Sequence, residues 1–137
     1  MSTNGDLTVG DQLPGLDIPI DRSFIVAGAI ASQDFEDVHH DPDAARRGGS
    51  PDIFISINSS NGVLGRYVTD WAGPAARLRS VKLRLGMPLH PGDVLHLTGE
   101  IVAHDAAQAT VKVVGSHARG AHLTGTVSLN LPAEAAA

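Results

Sequence analysis

The chain has no cysteine. That excludes disulfides, thiolate catalysis and cysteine-ligated metal, and it is compatible with a reducing compartment. Positive charge is in short supply too. Ten Lys and Arg stand against fifteen Asp and Glu, a net charge of −5, so a nucleic-acid role has little electrostatic footing. No apolar run approaches the ~20 residues needed to span a bilayer. The first residues, Met1 to Leu7, carry neither the basic nor the apolar region of a signal peptide. The expectation is a cytoplasmic protein with no membrane or nucleic-acid partner. The tail Pro132–Ala137 is expected to fray.

What is present is a globular composition, 42% hydrophobic and 18% charged over 137 residues. That is enough for one domain with one core, expected over about residues 10–131. Residues 1–21, with Gly5, Gly10, Pro14, Gly15 and Pro19, read as an extended, turn-rich segment. Residues 22–32 are apolar with small side chains and read as a strand followed by a short helix. A long helix is expected over 53–70. Ile53, Ile57, Leu64 and Val68 form its stripe, broadened by Phe54, Val63 and Tyr67. Gly62 and Gly65 inside it suggest close approach to a sheet that wraps the helix, or room beside it. Asp70-Trp71-Ala72-Gly73-Pro74 stops it, with Trp71 as a packing anchor.

After residue 75 the apolar period becomes two. Val81, Leu83 and Leu85 form one strand, and Leu95, Leu97 and Ile101 a second. Val111 and Val113 form a third, and Leu123, Val127, Leu129 and Leu131 a fourth. Short turns between them imply antiparallel pairing. One helix followed by antiparallel strands is an α+β layout. Arg77, Arg79, Lys82 and Arg84 are spread along the first of these strands. They read as a solvated or interface face, or as a contact for the phosphates of a coenzyme.

The segment with chemistry in it is Ser32-Gln33-Asp34-Phe35-Glu36-Asp37-Val38-His39-His40-Asp41-Pro42-Asp43-Ala44-Ala45. Asp34 and His39 sit five positions apart in a turn-rich link, where a carboxylate and an imidazole can converge on one water molecule and deprotonate it. The cluster His39-His40-Asp41-x-Asp43 could also be read as a metal site, but adjacent histidines in an extended link tend to point apart. Asp41-Pro42 reads as a turn or helix-start device. His90, His96, His104, His117 and His122 have no catalytic spacing and read as surface residues.

Asp34, His39 and Ala45 fit the pattern Asp, four residues, His, five residues, small residue. The segment thereby resembles the signature of the MaoC-like (R)-specific enoyl-CoA hydratases. Met87-Pro88-Leu89-His90-Pro91-Gly92-Asp93-Val94-Leu95 adds to the likeness, because such domains often carry a Pro-Gly-Asp turn between core strands. The resemblance implies a hot-dog fold, an antiparallel sheet around one helix. It implies His39 as main base, Asp34 as co-base orienting the water, and a backbone N–H near the start of the central helix, here Ile57, as oxyanion donor. It implies no metal, and no cofactor beyond the coenzyme A of the substrate. Three departures are visible. Gln33 stands where the family usually has glycine, Glu36-Asp37 where it usually has Asn-Pro, and Ser56-Ile57 where it often has a His-Gly pair.

Asp34–Asp41, Arg66–Pro74 and Lys112–Gly115 are similar to a narrower group, the small subunits of actinobacterial MaoC-like hydratases of steroid side-chain degradation. That likeness implies a larger partner subunit with a second hot-dog and a DUF35-type domain, in a heterotetramer, and a possible partner aldolase. The implied substrate is a steroid-CoA with an unsaturated three-carbon side chain, and the implied product a tertiary alcohol at ring D. Two other readings stay open: a non-catalytic acyl-CoA-binding or scaffold subunit, and a hot-dog thioesterase.

Overall fold

The computed structural model describes residues 7–132. The expectations for the extreme termini, including the tail after Pro132, fall outside the described residues. In chain order the elements are β1 (Gln12–Pro19), α1 (Arg22–Ala31), a single 3-10 turn (Asp37–His39), α2 (Pro42–Arg47), α3 (Ile57–Ala72), β2 (Arg77–Leu85), β3 (Val94–His104), β4 (Gln108–His117) and β5 (Gly120–Asn130). The five strands form one sheet in the order β1-β3-β4-β5-β2, and every pair is antiparallel.

Helix α3 lies against this sheet. Its buried face carries Val63, Leu64, Tyr67, Val68 and Ala72, spaced for one side of a helix. Leu64 and Val68 are fully enclosed among Ile101, Val111, Val127 and Leu129. The Tyr67 hydroxyl donates to the Pro14 carbonyl at 2.7 Å, tying the helix to β1. This is the sheet-around-helix layout expected of a hot-dog.

Several details differ from the sequence reading. Residues 22–32 contain no strand. Arg22–Ala31 is one helix, started by Asp21, whose carboxylate accepts the Phe24 N–H at 2.7 Å. Its small residues had been mistaken for strand because Gly28 has a packing role: a Cβ there would lie 2.5 Å from Ser59 Oγ on α3. The strand lies earlier, at Gln12–Pro19, inside the segment read only as extended. The central helix begins at Ile57, not 53. Residues 53–55 are extended, and the Ile55 N–H donates to the Leu89 carbonyl. Ser56 caps the helix by accepting the Ser59 N–H at 3.2 Å.

Close approach of helix and sheet is provided by glycines of the sheet more than of the helix. A Cβ at Gly125 would meet Leu64 Cδ2 at 2.9 Å, and one at Gly99 would meet Tyr67 Cε2 at 3.1 Å, whereas Gly62 faces open space. Strands β2 and β3 do not form a hairpin, since β5 and β4 lie between them. The link between them ends in a turn at His90-Pro91-Gly92-Asp93. Pro91 and a positive-φ Gly92 (φ 94°) occupy its middle positions and the Asp93 N–H returns to the His90 carbonyl, a type II turn.

Candidate active site

Asp34 is delivered by the C-terminal cap of α1. The Gln33 N–H bonds to the Ile30 carbonyl and the Asp34 N–H to the Ala29 carbonyl, the paired bonds of a Schellman motif. That motif needs a left-handed residue just past the helix. Gln33 supplies it with φ 59°, the one non-glycine residue with positive φ among those described. The usual glycine of the pattern is therefore explained, and its replacement leaves the backbone path of that cap in place.

His39 ends the 3-10 turn and is buried. Its Nδ1 lies 2.7 Å from the Phe54 carbonyl, and Phe54 meets the ring edge-on with centroids 5.1 Å apart. A carbonyl can only accept, so Nδ1 carries the proton. Nε2 is thereby left as the basic nitrogen of the neutral ring. Nε2 faces Asp34 Oδ2 at 3.4 Å, with the two side chains 8% and 16% exposed. A lone pair and a carboxylate oxygen at that separation form a pair of acceptors, suited to a donor such as water. Ala45, the third residue of the pattern, is fully buried in the core, where a larger side chain would have to displace its neighbours.

His40 turns away from His39, its Nδ1 on the Glu36 carbonyl at 2.9 Å. Asp41 caps α2, accepting the Asp43 N–H at 2.9 Å. Among the described residues no group of three or more His, Asp or Glu could hold a metal ion.

A cavity of about 300 Å³ opens beside His39, bounded by Phe54, Ile57, Leu85, Gly86, Pro88 and His122. The first turn of α3 thus borders the same space as His39. The N–H groups of Ile57 and Asn58 at that helix start have no intrahelical acceptor, and the helix dipole adds partial positive charge there.

Sequence reasoning missed the wall behind this cavity. His117 and His122, expected at the surface, are buried at 6% and 3% exposure. His122 Nδ1 donates to the Met87 carbonyl at 2.9 Å, and its Nε2 accepts from Ser60 Oγ at 2.8 Å. His117 Nε2 donates to the same carbonyl at 3.2 Å, and its Nδ1 accepts the Arg119 N–H. Burial pushes the His122 pKa down, so the ring is neutral at neutral pH. His90 is half-buried, with Nδ1 on the Ile53 carbonyl at 2.9 Å. His96 is exposed, as expected. No sequence signal marks His122: it and Leu123 are both buried on β5, a break in alternation that only the structure shows.

The link lining the cavity is held from outside. Arg119 grips Asp93 with two bonds of 2.6 and 2.5 Å and donates to the Pro88 carbonyl at 3.1 Å. The Arg119 guanidinium beside Asp93 lowers that carboxyl to about 2. Trp71 is half-buried against the core, an anchor as expected. No described helix is long and apolar enough to cross a membrane.

No family model matches the chain. It is 48% identical over 123 residues to the 3-oxo-4,17-pregnadiene-20-carboxyl-CoA hydratase beta subunit of Mycobacterium tuberculosis, covering 90% of this chain and 95% of that protein. It superposes with a TM-score of 0.90 on a chain of the ChsH1-ChsH2 complex of Mycobacterium tuberculosis, at 47% identity over 91% of this chain and 98% of that one. The R-hydratase PhaJ1 of Pseudomonas aeruginosa shares the fold, with a TM-score of 0.85 at 19% identity over 96% of this chain and 86% of the other. An identity of 48% over nine-tenths of the length is shared descent, and with the hot-dog architecture it settles the matter: the chain belongs to the MaoC-like hydratase family.

Proposed function

We propose that this chain carries the acid–base pair of a heteromeric hydratase that adds water to the α,β double bond of a steroid acyl-CoA. The observation that carries the reading is the facing of His39 Nε2 and Asp34 Oδ2 at 3.4 Å beside the start of α3. The substrate is taken to be a steroid whose shortened three-carbon side chain is unsaturated at ring D. The name of the mycobacterial relative supports this.

A water held by both acceptors has its oxygen aimed at the β-carbon. His39 Nε2 takes one water proton as the C–O bond forms, and the C=C electron pair moves toward the thioester oxygen. The backbone N–H of Ile57 receives that developing charge; one such donor is worth about 3–4 kcal/mol in the transition state. Asp34 orients the water, takes that proton back from the His39 imidazolium and relays it to the α-carbon, so both groups return to their starting states and the sum is enoyl-CoA plus water giving a 3-hydroxyacyl-CoA. The β-carbon belongs to the ring and carries no hydrogen, so the product is a tertiary alcohol, a substrate for retro-aldol cleavage by a partner aldolase. Coenzyme A enters as part of the substrate, and no other cofactor is required.

The mycobacterial ChsH1-ChsH2 complex supports a second, different subunit, which we take to be the larger MaoC/DUF35-type chain in a heterotetramer working in the cytoplasm. The test is hydration by the assembled protein, followed by loss of enoyl absorbance. Asp34→Asn and His39→Ala should each lower the rate 10²–10⁴-fold. Rates within about threefold of wild type for both would sink the assignment. Steroid enoyl-CoA should exceed crotonyl-CoA in kcat/KM, a ratio that reports differential transition-state binding. Equal turnover of the four-carbon substrate would reject the steroid and leave the hydratase.

A further inference from the structure

The distribution of cations on this acidic chain is uneven. Of its ten Lys and Arg, four meet a carboxylate among the described residues: Arg22, Arg46, Arg66 and Arg119. Of the six left, all but Arg47 lie on β2 or β4, namely Arg77, Arg79, Lys82, Arg84 and Lys112. Three of these converge. Val81 and Leu83 turn inward against the core, so Lys82 and Arg84 project from the opposite, outer face of the sheet. Lys112 is exposed between the buried Val111 and Val113. The strand register sets Lys82, Thr126 and Lys112 in one row across β2, β5 and β4, with Arg84 beside Thr124 in the next. Together they border a depression of about 440 Å³. Glu100 is opposite Lys112 on β3 but makes no ion pair with it.

This depression neighbours the candidate active site through shared wall residues. It shares Arg84 and Thr124 with a smaller hollow of about 190 Å³, and that hollow shares Leu85 and Gly86 with the cavity beside His39. From Gly86 to Lys82 the strand advances roughly 13 Å at ~3.3 Å per residue, a span on the scale of an extended pantetheine arm.

We propose that Lys82, Arg84 and Lys112 form the site for the phosphorylated, nucleotide end of the coenzyme, with Thr124 and Thr126 offering hydroxyl donors. The inference rests on the acyl-CoA reading of the Asp34–His39 site and adds where the far end of that substrate is held. Three cations that make no ion pair among the described residues, with two hydroxyls, suit a ligand bearing several phosphates, and the row of adjoining hollows assigns that ligand to the same molecule that reaches His39.

The experiment uses the protein assembled with its partner, as wild type, as the Lys82→Ala/Lys112→Ala double variant and as Arg84→Glu. All three positions are exposed, so the variants should melt with wild type. The first readout is calorimetric binding of adenosine 3′,5′-bisphosphate at low salt. Its Kd should rise at least tenfold in the double variant, and in wild type it should weaken as salt is raised. The second is the ratio of kcat/KM for an enoyl-CoA to that for the same acyl group on pantetheine, which has no phosphate. That ratio should fall about tenfold or more, since each tenfold in affinity is about 1.4 kcal/mol. Equal binding of the bisphosphate by wild type and variants overturns the proposal, as does a ratio that does not move. Loss of the partner subunit from the variants also overturns it, by showing the patch to be a protein-docking face. Bisphosphate binding that depends on these residues in a protein that hydrates nothing would keep this site and reject the reading of Asp34 and His39.

Discussion

Asp93→Asn tests whether the link that walls the candidate site is held by charge. Asp93 accepts both Arg119 bonds and the His90 N–H at 2.7 Å, and its carboxyl is lowered from 3.8 to about 2 by that guanidinium. A shift of nearly two units at about 1.4 kcal/mol each sets a ceiling of roughly 2.5 kcal/mol. Arg119 is 43% exposed, so solvent screening reduces the expectation to about 1–2 kcal/mol. The sign is fixed by linkage. The folded-state pKa lies below the unfolded one, so the contribution is complete above about pH 4 and is lost as pH falls toward 2. Asn keeps an acceptor for the His90 N–H and removes the charge. Urea melts at pH 7, 5, 4 and 3 should therefore show the variant less stable by about 1–2 kcal/mol at pH 7 and 5, with the gap closing below pH 4. Asp52 and Asp105, also lowered, are present in both proteins and cancel in the difference. A gap that is the same at pH 7 and pH 3, or absent at pH 7, would refute the argument.

Gln33→Gly should raise stability by about 0.5–1 kcal/mol, because a left-handed non-glycine residue costs about 1–2 kcal/mol, partly offset by glycine's entropy in the unfolded chain; thermal melts check it. Ser60→Ala should cost about 1–3 kcal/mol by leaving the buried His122 Nε2 without its donor. Adding His122→Phe should cost less than the sum of the two single changes in a double-mutant cycle. One substitution should have opposite signs at two glycines. Gly62→Ala, into open space on a helix, should stabilise by about 0.5–1 kcal/mol. Gly125→Ala, against the Lys82 carbonyl and Leu64, should destabilise by about 1–3 kcal/mol. Denaturant midpoints separate the two.

The strands after residue 75 were legible because each has one face in the core and one in solvent, so alternation survives in the sequence. Their order was not. Val81, Leu83 and Leu85 alternate like any strand, and nothing local records that β2 crosses the molecule to pair with β5. The same strand shows what alternation hides. Val81 and Leu83 are only half-buried, and Leu78 and Leu85 are 43% and 39% exposed. Apolar spacing reported a face; it did not report that the face is left partly open at a sheet edge. The start of α3 was misplaced because Ile53 continues the helical stripe by coincidence. It is buried for a different reason, in the extended stretch whose Ile55 N–H pairs with Leu89.

The spacing of Asp34 and His39 is a weak signal by itself, and the family resemblance gave it its weight; the structure brings the two side chains to 3.4 Å on a short link that follows the cap of α1. What spacing could not give is direction. Which imidazole nitrogen is free depends on Phe54, fifteen residues away, whose carbonyl accepts the Nδ1–H and leaves Nε2 facing Asp34. The Ser60–His122 bond spans sixty-two residues, and the Arg119–Asp93 clamp twenty-six. The first appears only when α3 is laid on β5, the second only when β3 is paired with β4. The division is physical: the groups that would touch water are local, while the groups that orient them and wall the cavity come from distant strands. Where His122 sits is set by the placement of β5 under α3, which no local pattern in the sequence records.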